Sequence, residues 1–207
     1  MWVTCFPKVL LLSLQHVTHL FLNICMLIWF NSPLIKDLVS LVPKQPNEIG
    51  CNHLYTLRSV DNCVAYDPRT RDQIDQDIKS PKSPKTPNLP KFWTRNGCKT
   101  DLFDEVVTPN RLQPQDSGTL AIALAIFYLK AKDITVLGCG WHTKDTKSLF
   151  DHRYTHKKWF EKGNNSKLQL LRTYQKEFGV RIRFVSEHIV DPALGHARIE
   201  DLLKELS

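Results

Sequence analysis

The sequence predicts one three-layer α/β domain with a mostly parallel sheet, and three observations carry that expectation. Short apolar runs of strand length alternate with helix-period segments from Ile24 to the end of the chain. The 207 residues are enough for one substantial core and too few for two full domains. The run from Asp116 to Trp141, DSGTLAIALAIFYLKAKDITVLGCGW, joins a polar turn, a small-residue apolar helix and a strand that ends in glycine. That succession is how α/β proteins build ligand sites.

Taken in order, the chain opens on an apolar run, Val9 to Phe30, as long as a membrane span. Gln15, His16, His19 and Asn23 interrupt it with groups a bilayer centre disfavours. The run therefore divides into an N-terminal extension, residues 1–23, with an amphipathic helix from Leu10 to Asn23, and a first core strand, Ile24 to Phe30. A signal anchor is the alternative, and no small-residue cleavage signature follows it. The domain proper then covers residues 24–207. Asn31-Ser32-Pro33 opens a helix over Leu34 to Leu41, with Asn31 or Ser32 as its cap and the proline in its first turn. Glu48 to Cys51 is a second strand ending at Asn52-His53, and Asn62 to Tyr66 a third ending at Asp67-Pro68. A helix follows with Asp72, Gln73, Asp75 and Gln76 on its wet side.

Residues 80–92, SPKSPKTPNLPKF, carry Pro81, Pro84, Pro87 and Pro90 among lysines and predict a polyproline-like surface loop. The helix and strand of the Asp116–Trp141 run come next, separated by a turn at Lys130-Ala131-Lys132-Asp133. Ser148 to Trp159 shows no clean period. Gly163 to Ser166 caps a helix over Lys167 to Phe178, with Leu168, Leu170, Leu171 and Tyr174 at helical spacing. Gly179 closes it, Val180 to Val185 is a strand, and Arg198 to Leu206 a terminal helix.

The formal charge of +7 favours anionic ligands. The basic residues are scattered and no aromatic-basic strand motif occurs, so nucleic acid is not an expected partner. The six cysteines form no C-x-x-C pair and several lie in apolar runs, which points to free thiols in a reducing compartment, the cytoplasm. His152 and His156 stand four apart, but no histidine has ligand-like spacing to a cysteine, and no metal is expected. The chain lacks G-x-G-x-x-G, a Walker loop, a G-x-S-x-G elbow and H-E-x-x-H. That argues against ordinary dinucleotide dehydrogenases, P-loop enzymes, serine hydrolases and zincins.

Ligands of open parallel sheets gather at the carboxyl ends of strands. Those ends carry Asn31-Ser32, Asn52-His53, Asp67 and Gly138-Cys139-Gly140, and the helix start adds Ser117-Gly118 if it faces the same edge. Asparagine amides suit a base or ribose, while a serine hydroxyl beside backbone N–H groups suits phosphate. A general base would come from the 148–162 stretch, where His152 and His156 titrate near neutrality.

The residues resemble the bacterial sialyltransferases that decorate lipooligosaccharide. FNSPLIKDL (Phe30 to Leu38) is similar to that family's glycine-rich donor loop, and GCNHLY (Gly50 to Tyr55) to its cysteine-asparagine strand end. DSGTLAIALAIFYLKAKDITVLGCGW is similar to its threonine-serine-glycine helix and following strand, and NSKLQLLRTYQKEFGVRIRF (Asn165 to Phe184) to its later helix and strand. The resemblance implies a Rossmann-like fold, a CMP-sialic acid donor, a glycan acceptor and no required cofactor. It implies that Asn31, Ser32, Asn52, Ser117 and Gly118 line the nucleotide and that His142 or Ser148 falls near the donor. Lys162 occupies the position aligned with the family's histidine base, which leaves His156 as base, with His152 second. Phe30 and Ser32 replace the two loop glycines, Leu34 the loop serine, Gly140 an acidic residue, and Pro114 an arginine.

Two other readings stay open: an MptE-like diphosphokinase, for which Asp67 would hold magnesium, and a non-catalytic nucleotide-sugar-binding relative. The N-terminal run leaves room for peripheral membrane contact, and nothing in the sequence sets the oligomeric state.

Overall fold

A computed structural model describes residues 25–80, 88–139 and 164–207. They form an eight-stranded sheet: β1 (Met26–Trp29), β2 (Ile49–Cys51), β3 (Asn62–Val64), β4 (Lys91–Arg95), β5 (Phe103–Val106), β6 (Asp133–Leu137), β7 (Arg181–Val185) and β8 (Gly195–Ala197). The order across the sheet is β5-β4-β3-β2-β1-β6-β7-β8. Every pairing is parallel. The chain runs outward from β1 to β5, returns to lay β6 beside β1, and runs outward the other way. Strand order therefore reverses between β1 and β6, the switch point at which doubly wound sheets open a crevice.

Both faces are covered, which makes three layers. Met26, Ile28 and Phe30 point to one face and Leu27 and Trp29 to the other. The first face is covered by α3 (Ser117–Phe127) and α4 (Asn164–Phe178). Helix α3 packs across β1, β2, β3 and β5, and Gly118 through Ile126 are all buried. Its sequence is apolar all round because it has no wet side. The second face is covered by α1 (Leu38–Leu41), the 3-10 turn Asn52–Thr56, α2 (Pro68–Lys79) and α5 (Ile199–Leu206).

The expected single α/β domain with a mostly parallel sheet is what forms, with all eight strands parallel. Several expected elements differ in detail. The first strand is Met26–Trp29, at the centre of the sheet, so this part of the apolar run is core rather than membrane span. The helix expected over Leu34 to Leu41 is a 3-10 turn, Pro33–Ile35, followed by the short α1. The proline-lysine loop does not reach residue 92, because Lys91 already pairs in β4, with Asn62 of β3 as its neighbour. Strands β4, β5 and β8 had no counterpart in the sequence reading. The N-terminal extension up to Asn23 and the Ser148–Trp159 stretch lie outside the described residues. Among the described residues no helix is long and apolar enough to cross a membrane.

Candidate functional site

The carboxyl ends of the strands line up along one edge, and helix α3 begins at that same edge. Ser117 fixes this: its Oγ accepts the Tyr66 N–H at 3.0 Å and donates to Asn52 Oδ1 at 2.8 Å. One hydroxyl thus ties the ends of β2 and β3 to the first turn of α3. Cys51 Sγ adds a bond to the Ser117 carbonyl at 3.4 Å. Asn52 stands at φ 57°, a left-handed conformation that asparagine tolerates better than most residues. Its carbonyl accepts from Cys63 Sγ at 3.0 Å, and only 9% of the residue is exposed.

The helix start is already negatively charged. Asp116 caps α3, its Oδ1 accepting the Thr119 N–H at 2.8 Å, while Thr119 Oγ1 accepts the Asp116 N–H at 3.0 Å. Lys167, at the start of α4, pairs with Asp116 Oδ2 at 2.8 Å. A carboxylate therefore holds the place at the helix terminus that the sequence reading gave to a phosphate. The neighbouring glycine is also engaged. A Cβ on Gly118 would lie 2.5 Å from Phe30 Cζ, so the Phe30 ring covers it.

The other expected site residues divide by location. Asn31 is half-buried and Ser32 buried, both just after β1 at the switch point. Gly138 follows β6 on the other side of that switch at φ 73°. A Cβ there would meet Ile35 Cγ2 at 2.1 Å, so the glycine admits the turn after β1 rather than leaving an open floor. Asp67 is exposed and caps α2, accepting the Arg69 N–H at 2.8 Å. His53 does not reach the crevice. It is fully buried beneath α2 on the second face, its Nδ1 3.9 Å from Asp77 Oδ2. His142, His152 and His156 lie outside the described residues.

The edge holds three residues the sequence reading passed over: Tyr66, Arg71 and Arg95. The Arg95 guanidinium lies over the Tyr66 ring, 4.9 Å from its centroid, and its Nη1 is 3.4 Å from the Tyr66 hydroxyl. That hydroxyl holds the Arg95 pKa above its ordinary value, so the side chain is a cation at any working pH. Arg71 on α2, 9% exposed, donates through Nη1 to the Cys98 carbonyl at 2.6 Å. No local motif marks these residues, because a helix and two strand ends bring them together only in the fold.

Cys51 and Cys63 are not nucleophiles at neutral pH. Burial pushes the Cys51 and Cys63 thiols well up, keeping both protonated. Among the described residues no three His, Cys, Asp or Glu side chains gather to hold a metal ion. What the edge offers is recognition: amide, hydroxyl, aromatic face and guanidinium in one line. Comparison of the chain with protein-family models, curated proteins and solved structures returns no match.

Proposed function

We propose that the protein binds a nucleotide sugar along the carboxyl edge of the sheet and transfers its sugar to a glycan acceptor, with CMP-sialic acid as the donor. The observation that supports this reading is the hydrogen-bonded line Asn52–Ser117–Tyr66 beside the β1/β6 switch point. Its amide and hydroxyl suit a ribose or base, Asn31 and Ser32 continue the line across β1, and the guanidinium groups beyond Tyr66 complement phosphate. In this reading His156, with His152 second, removes the acceptor proton as the nucleotide leaves.

The test is thermal shift of the full chain with cytidine, uridine and adenine nucleotides and their sugars. CMP-sialic acid raises the melting temperature, Ser117→Ala reduces the rise, and His156→Ala keeps it while abolishing donor hydrolysis. No shift with any of these nucleotides sinks the reading. Turnover that needs ATP and magnesium would transfer the site to the diphosphokinase reading.

A second reading is favoured by the Phe30 ring over Gly118 and the Asp116 carboxylate at the helix start, which leave the donor phosphate less room. It is a binding module without turnover. A nucleotide-sugar shift with neither hydrolysis nor transfer, in the wild type as in His156→Ala, would select it.

A further inference from the structure

Five arginines among the described residues are paired with carboxylates. Arg58 pairs with Glu48, Arg111 with Glu177, Arg172 with Asp191, Arg181 with Asp133 and Arg183 with Glu205. Arg71 and Arg95 break the pattern. Among the described residues neither has a carboxylate within ion-pairing distance, although Arg71 is more than nine-tenths buried. The Nε atoms of both are buried and have no hydrogen-bond partner. A buried cation without a counter-charge is costly.

The two side chains come from opposite faces of the sheet, Arg71 from α2 and Arg95 from the end of β4, and meet at one turn. Arg71 holds the Cys98 carbonyl, and Arg95 reaches the Cys98 side chain. Next to Cys98 the chain turns through Gly97 at φ 75°, with nothing within 4 Å of where its Cβ would lie. The site is therefore at a carboxyl strand edge, beside open space, and continuous with the Tyr66–Ser117–Asn52 line.

We infer that Arg71 and Arg95, with the Tyr66 ring as backing, form a binding site for a two-oxygen anion, the phosphoryl or carboxylate group of an organic ligand. A guanidinium presents parallel N–H groups that match such an anion through two bonds. The bound anion supplies the counter-charge the chain itself omits. The site needs an oxyanion and no nucleoside, so it stands whether or not the nucleotide-sugar reading does.

The test is calorimetric titration of the full chain at fixed ionic strength with pyrophosphate, inorganic phosphate and glucuronate. Saturable binding is expected, of the phosphates if the site takes a phosphoryl group and of glucuronate if it takes a carboxylate. Arg95→Gln weakens it about ten- to a hundredfold, the range expected for losing a charged hydrogen-bond donor. Arg181→Gln removes the same charge at the opposite edge and leaves binding within about twofold, since screening mutes a distant charge. Arg71→Lys, which keeps the buried charge and the fold, weakens binding by losing the fork. Absence of saturable binding to all three probes overturns the site, as does unchanged binding in Arg95→Gln or an equal loss in Arg181→Gln.

Discussion

Phe30 and Gly118 behave as one steric unit, ring and hole. With Phe30 Cζ 2.5 Å and Cε2 2.7 Å from the position of a Cβ, Gly118→Ala must displace the ring. Overpacking of this kind costs about 1–3 kcal/mol, read as a lowered urea midpoint, and Phe30→Leu in the same chain recovers part of it. A Gly118→Ala chain as stable as wild type would show that the ring is not held there. The pair also gives Phe30 its place: the ring just after β1 is seated on the glycine in the first turn of α3. Thiol chemistry follows burial in the same local way. Cys25 and Cys98 are half-buried while Cys51 and Cys63 are enclosed, so peptide mapping after brief iodoacetamide treatment finds the first two labelled and the second two not. Equal labelling of all four would mean that the sheet opens on the labelling timescale.

At the scale of elements, two ion pairs hold peripheral segments to the sheet. Glu48, wholly buried at the entry to β2, accepts from Arg58 Nε and Nη2, both at 2.7 Å, and from Trp29 Nε1 at 3.1 Å. Arg58 in turn donates to the carbonyls of Val39, Val42 and Pro43 and so binds the end of α1 to β2. Glu48→Ala leaves the guanidinium uncompensated and costs about 3–5 kcal/mol in denaturant unfolding. Glu48→Leu with Arg58→Met recovers only part, since those carbonyls lose their donor. Helix α5 is fixed by Arg183 to Glu205, whose carboxyl the Arg183 hydrogen bonds hold below the usual glutamate range. A carboxyl lowered on folding contributes stability above its unfolded pKa, and that contribution fades as pH falls through the folded value. The gap between wild type and Glu205→Gln is thus present at pH 6 and shrinks as pH falls below the usual glutamate range. It is about 1 kcal/mol or less, because the pair is half exposed, and a gap independent of pH would remove this role. Legibility also varied by element. Helices α2 and α4 stand out because caps and periodicity coincide there, and α3 with β6 because a capped apolar helix leads into a strand that ends in glycine. Strand β4 was hidden because Phe92 and Trp93 are buried on opposite faces, which erases alternation, and because Pro90 and a lysine run precede it. Edge strand β5 carries Asp104 and Glu105 between its two buried ends and gives no strand alternation in sequence.

For the whole molecule, the alternating elements predict ligands at the carboxyl ends of the strands, but the strand order that sets the switch point, and the polar residues that reach it, are fixed only by the fold. His53 and Asn52 are adjacent in sequence yet serve opposite faces. Tyr66, Arg71 and Arg95 are scattered in sequence yet share an edge. The parallel register, set strand by strand, is what places Arg95 at the level of Tyr66, and no window of sequence contains it. That geometry has a consequence for ligand size. Arg95 at the end of β4 and Phe30 at the end of β1 are separated by three strand spacings, roughly 14 Å. A small oxyanion can occupy only the arginine end, whereas a nucleotide sugar is long enough to reach the Asn52–Ser117 line as well. Asn52→Gly removes the amide while preserving the left-handed backbone, so it tests the line without straining it. Pyrophosphate binding then depends on Arg95 and is indifferent to Asn52→Gly, while CMP-sialic acid binding is weakened by both substitutions. Equal sensitivity of pyrophosphate to the two would collapse the groove to one compact site. Indifference of CMP-sialic acid to Asn52→Gly would leave the arginines as an anion site with no nucleotide beside it.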